Sequence, residues 1–201
     1  MRARLRCGLV MVAAAAVPLT GCTVNGPDPA PEPGGTTPTS SAGAASFDFP
    51  ARPAELPIAG KQDADACTWL ASEQKQQLEV GGGRPVVKSG NNYNGCTFLG
   101  QSGPAQYGIS LRVVPEGLDA FAQKLADSAP EQDQVGGFGA VRSQVPGAEG
   151  LGCAVFVDAA EGQTLYVDLT LTTPGAMDDQ QMCEKAGQAA TAAVTTLQAQ
   201  G

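Results

Sequence analysis

Gly152-Cys153-Ala154-Val155-Phe156-Val157-Asp158, a break through Gly162, then Gln163-Thr164-Leu165-Tyr166-Val167-Asp168-Leu169-Thr170-Leu171-Thr172: this stretch decides the fold. Leu165, Val167, Leu169 and Leu171 alternate with Thr164, Asp168 and Thr170, the period-two pattern of a half-buried strand. Gly162 supplies the turn, so the two runs read as an antiparallel hairpin that begins at Cys153 and is stopped by Pro174-Gly175.

The same grammar appears upstream. Gly95-Cys96 opens a strand that turns between Gly100 and Pro104. Tyr107, Ile109, Leu111 and Val113 then point to one side, with Ser110 and Arg112 on the other. Pro115 ends that strand, and Leu118, Phe121, Ala122, Leu125 and Ala129 follow at helical spacing. Pro85 to Lys88 and Phe138 to Val145 read as further strands, and Asn91 to Gly95 as a turn. Ala66 to Leu70 reads as a short helical turn, and Glu73 to Glu79 as a second helical piece capped by Ser72 and ended by Gly81-Gly82-Gly83. Asp178 is placed to cap a long last helix to about Ala199, with Met182, Ala186, Ala190, Val194 and Leu197 as its apolar stripe.

Two segments match in kind. Gly82 to Ser89 parallels Gly136 to Ser143, 54 positions later, and Gly95-Cys96 parallels Gly152-Cys153, 57 later. The order is therefore helix-βββ-helix-βββ-helix, an old duplication or a chance reuse of local signals. The expected class is α+β: a mostly antiparallel sheet with helices on one face.

Four cysteines, Cys67, Cys96, Cys153 and Cys183, lie in this region. Four in an exported chain imply two disulfides with three possible connectivities. If the halves are related, each hairpin cysteine holds a helix beside its own hairpin, which selects Cys67–Cys96 and Cys153–Cys183. Each bridge closes a loop worth about 3–4 kcal/mol on chain-entropy grounds. A Cys₄ zinc site would show close pairs, and the nearest two here are 29 apart. A Cys-x-x-Cys redox motif is absent. No metal or cofactor is expected.

The N-terminus supplies the address. Arg2, Arg4 and Arg6 precede an uncharged apolar run, Leu9 to Leu19. At about eleven residues that run is short of the ~20 needed to span a bilayer, and reads as a secretory signal. It ends in Leu19-Thr20-Gly21-Cys22, the pattern cut by lipoprotein signal peptidase, with Cys22 then carrying acyl chains such as palmitate. Residues 1–21 are thus a lipoprotein signal peptide. Residues 22–57 read as a lipid-anchored disordered tether holding eight prolines, with a possible glycosylation run at Thr36 to Ser41. The tether's reach is roughly 30 to 100 Å, depending on stiffness. Residues 58–201 form one extracytoplasmic domain, large enough for a real core. The expected location is the outer face of the cell membrane.

Losing residues 1–21 removes three arginines and no acid, so the formal charge moves from −8 to −11. That balance opposes nucleic acid and anionic headgroups as partners of a basic patch. The absence of histidine excludes Ser-His-Asp and Cys-His mechanisms. No Gly-x-Ser-x-Gly elbow is present, and the paired acids Asp63/Asp65 and Asp178/Asp179 stand where helix starts favour acids.

The lipobox at Cys22, the Pro/Thr-rich tether, Cys67 opening a helix, Gly95-Cys96-Thr97-Phe98 opening a strand, Gly152-Cys153-Ala154-Val155 and the Cys183 helix together resemble a known group. It is the actinobacterial, LprB-like lipoprotein family carrying a four-cysteine domain of unknown function. That family often has Trp two residues after the strand cysteine, where this chain has Phe98. The resemblance implies no activity and no catalytic residues. The expected role is a non-enzymatic envelope module binding a protein or a lipid-like ligand. The alternatives are a structural or sensory accessory of a membrane complex, and a hydrolase using Ser with Lys or paired carboxylates.

Overall fold

The computed structural model describes residues 47–201 except 62, 87–92, 129 and 146. The signal segment, Cys22 and most of the tether lie outside the described residues.

Seven strands form one antiparallel sheet. They are β1 (Val80–Val86), β2 (Gly95–Ser102), β3 (Ala105–Val114), β4 (Glu131–Val135), β5 (Phe138–Gln144), β6 (Gly152–Ala160) and β7 (Gln163–Leu171). Their spatial order is β1-β2-β3-β7-β6-β5-β4, so the last strand returns to pair with the third at the sheet's centre. The helices are α1 (Asp63–Ala66), α2 (Ser72–Gln77), α3 (Leu118–Ala122) with a 3₁₀ continuation to Ser128, and α4 (Asp179–Gln198).

The period-two readings decide the faces. Tyr107, Ile109, Leu111, Leu165, Val167, Leu169, Cys96, Phe98, Cys153, Val155 and Val157 share the inner face, in one core with α4. The α4 stripe is Met182, Ala186, Ala190, Val194 and Leu197, all fully buried. Its small alanines let the helix lie close on the sheet, and Trp69, Leu70 and Leu78 fill the rest of this layer. Asp178 caps α4: its carboxylate accepts from the Gln181 backbone N–H at 2.8 Å.

Both disulfides form on this inner side as Cys67–Cys96 and Cys153–Cys183, with Cα separations of 5.1 and 4.9 Å. One pins the turn after α1 to β2, and the other pins the second turn of α4 to β6. The glycine before each strand cysteine has a steric reason. A Cβ on Gly95 would meet the Leu111 carbonyl oxygen of the neighbouring strand, and one on Gly152 would lie 2.5 Å from the Leu169 carbonyl oxygen.

Several expectations are corrected. Helices do not all lie on one face. α1, α2 and α4 cover the inner face, but α3 and its continuation pack on the outer one. There Leu118, Phe121, Ala122 and Leu125 meet Val141, Ala154, Phe156 and Tyr166. That is why β6 is buried along almost its whole length rather than alternately. The second half holds four strands, not three, because β4 precedes the expected one. Gly81, Gly82 and Gly83 continue β1 rather than ending a helix. A Cβ on Gly83 would overlap Phe98, so only glycine lets β1 cross that ring. The N-cap of α2 is Ala71, not Ser72, and Gln74 reaches back to the Ala71 backbone N–H at 2.7 Å.

The folded region also starts before Ile58. Arg52 makes a bidentate pair with Asp158 at 3.1 and 3.0 Å, Leu56 is buried, and Phe47 and Phe49 pack against the outer-face cluster. The last eleven residues of the proline-rich segment therefore belong to the domain.

Candidate functional site

On the outer face, Ser110 and Arg112 of β3 stand opposite Asp168 and Tyr166 of β7 in register. Arg112 Nη1 donates to Asp168 Oδ1 at 2.8 Å, and Nη2 donates to Ser110 Oγ at 3.1 Å. Thr170 Oγ1 donates to Asp168 Oδ2 at 3.2 Å, and the Ser110 and Thr97 hydroxyls pair at 3.0 Å. The guanidinium also lies 5.4 Å from the centre of the Tyr166 ring.

Asp168 is 3% exposed. Its burial pushes the carboxyl above the ordinary range, against the pull of Arg112 and of hydrogen bonds from Thr170, Ser110 and Tyr166. Burial, with the Asp168 charge beside it, likewise raises the Tyr166 phenol and keeps it protonated.

Rings continue from Tyr166 toward α3. Tyr166 stacks on Phe156 at 4.7 Å, Phe156 meets Phe121 at 5.0 Å, and Phe121 meets Tyr93 edge-on at 6.4 Å. Between α3 and the sheet these side chains, with Leu125, Val145 and Lys124, enclose a cleft of about 590 Å³, a volume typical of small-ligand sites. Lys124 at its rim is held by Glu116 at 2.6 Å.

A larger hollow, about 690 Å³, lies between α2, α4 and β4, but its lining is mostly Gln, Glu and Thr side chains. A third feature gathers Glu79, Lys185 and Ser102. Lys185 Nζ donates to Glu79 at 2.9 Å and to the Tyr107 hydroxyl at 3.1 Å. Burial alone would lower the Lys185 ammonium, but its bonds to Glu79 and Tyr107 outweigh that and raise it. A Lys held protonated is the opposite of the neutral base a Ser–Lys hydrolase needs.

Of the residues singled out from sequence, the four cysteines pair as described and Asp178 serves as a helix cap. Cys22 lies outside the described residues. The structure joins Arg112 to Asp168, two outward strand positions that sequence reasoning had not linked. It also gathers four aromatics from separate segments. The one available signal was a lone charge at an outward position of each alternating strand. Among the described residues, no cluster of potential metal ligands occurs, and no helix is long and apolar enough to cross a membrane.

Fold and cleft together define a disulfide-pinned, sheet-dominant domain with a mixed aromatic and ionic pocket on the face opposite its main helix. The chain belongs to the family described as protein of unknown function, DUF3558, which it matches over residues 17–196. No curated protein and no solved structure matches it.

Proposed function

We propose that this protein is a lipid-anchored lipoprotein of the actinobacterial, LprB-like kind, held on the outer face of the cell membrane through Cys22. Its domain is a non-enzymatic binding module whose ligand site is the outer-face cleft. The observation that carries the reading is the Arg112–Asp168 pair set under an aromatic wall. An ionic pair taken out of water contributes little to net stability compared with apolar packing, yet it supplies the few fixed polar groups that orient a ligand in an otherwise apolar pocket. The lipobox, the proline-rich leader and the absence of histidine support the address and the non-enzymatic role.

The related halves belong to the same reading. Support comes from the matching Gly-Cys strands, the mirrored disulfides, and β3 and β7 meeting at the sheet's centre. The extra strand β4 and the opposite placement of α3 and α4 are departures since the duplication.

The test is extraction of the full chain from its own membranes, followed by native mass spectrometry and fractionation. A small molecule retained on the wild type, with Cys22→Ala lost from the detergent phase, is the expected result. A chain that carries only a stoichiometric protein partner and no small molecule would favour the accessory-subunit reading.

A further inference from the structure

We infer that the cleft takes a single-headed anionic amphiphile, an acyl chain ending in one carboxylate, with its head at Arg112 and its chain along Phe121, Leu125 and Val145. The inference rests on the ligand-site reading above and names the ligand class.

The apolar end comes first. The rings lie mostly against one another, with Phe156 between Tyr166 and Phe121 and the guanidinium over Tyr166. Phe156 and Tyr166 thus spend ring surface on each other and on the guanidinium, and Leu125 and Val145 add aliphatic lining. Stacking a sugar or a base needs a free face; an alkyl chain needs only apolar surface, and gains about 0.8 kcal/mol per buried methylene.

The head comes from the balance of donors and acceptors. Arg112 has five N–H donors. Nη1 is used by Asp168 and Nη2 by Ser110, and Nε is buried with no partner among the described residues. Both Asp168 oxygens already accept, one from Arg112 and one from Thr170. The polar end is therefore rich in donors, with its acceptors taken, and the complementary head is an acceptor. The charged side chains on the cleft wall are Arg112, Lys124 and Asp168. Lys124 is paired with Glu116 and Arg112 with Asp168, so the formal charges balance and the unused donors of Arg112 are what remain for a ligand. A guanidinium with unused N–H groups binds a charged acceptor more strongly than a neutral one, which favours a carboxylate head.

The experiment uses the full-length lipoprotein in isolated membranes without acyl-transfer cofactors. A clickable diazirine hexadecanoate is added, photolysed, and its attachment sites are mapped by peptide sequencing. The expected result is labelling at Phe121, Leu125, Val145 or Phe156 that excess hexadecanoate removes and hexadecanol or hexadecylamine does not. Two variants separate binding from folding. Val145→Trp fills the cleft from its rim, and Arg112→Gln with Asp168→Asn removes both charges while keeping polar side chains in place. Each should retain both disulfides and lose labelling about tenfold, the scale of one charge-assisted hydrogen bond. Labelling spread over other surfaces overturns the inference. Equal competition by hexadecanol, with Val145→Trp still losing the label, overturns the anionic head while leaving the cleft as the ligand site.

Discussion

The two faces of the sheet are built on different principles. The inner face is sealed by a long helix whose stripe is largely alanine, and both disulfides sit there. The outer face is covered over β5 to β7 by a short helix and a 3₁₀ segment. It holds the buried ion pair and the cleft, and leaves Leu99 on β2 exposed. Stability is concentrated where the surface is closed, and polar chemistry where the cover is incomplete. A face that must admit a ligand cannot also be packed to crystalline density.

Removing an inner-face clamp should have the largest effect. Cys153→Ser with Cys183→Ser should cost ~3–4 kcal/mol of unfolding free energy, read by denaturant titration. A loss under about 1 kcal/mol would mean that α4 holds the sheet without its bridge.

Arg112→Met probes the other face. It strands the Asp168 carboxylate and should cost about 3 kcal/mol near neutral pH, the low end for a broken buried pair because Arg112 keeps some exposure. The pH dependence has a definite sign. Asp168 is raised in the folded state above its ordinary 3.8. The folded chain therefore holds that proton more tightly than the unfolded one, and the contribution is present at low pH. It is lost as pH rises from 3.8 through the folded-state value. Without Arg112 the carboxyl rises further, so the variant should recover part of its deficit on acidification. A deficit constant between pH ~4 and 7 would show that no buried carboxylate was left unpaired.

Asp178→Ala, at the start of α4, should cost ~1 kcal/mol as a lost N-cap. Leu99→Lys on the uncovered part of the outer face should change stability by under ~0.5 kcal/mol. A larger loss there would mean that the outer face of β2 is covered in the assembled protein.

The contrast between the faces also accounts for what was readable. β3, β7 and α4 were legible because each rests on a local period, and the disulfide pairing because the two Gly-Cys strands occupy matching places in the two halves. β4 was not, because Glu131-Gln132-Asp133-Gln134-Val135 is an edge strand with one buried side chain and no alternation of apolar residues. Gly81-Gly82-Gly83 read as a stop because the reason for Gly83, the Cys96 and Phe98 side chains on the next strand, is supplied by pairing. Phe47, Phe49, Arg52 and Leu56 were hidden among prolines, and their partners, such as Asp158, lie about a hundred residues away. The cleft was illegible for the same reason. Arg112 and Asp168 are 56 positions apart, and which face α3 would take is not written in α3 itself.

The central claim is that the outer-face cleft, and no other surface, holds the ligand. Native mass spectrometry of the full-length wild type and Val145→Trp, extracted in parallel from the same membranes, tests it most directly. The account predicts a retained small molecule on the wild type and none on the variant, with both disulfides intact and an unchanged melting temperature. The same molecule on both proteins at equal occupancy would contradict it.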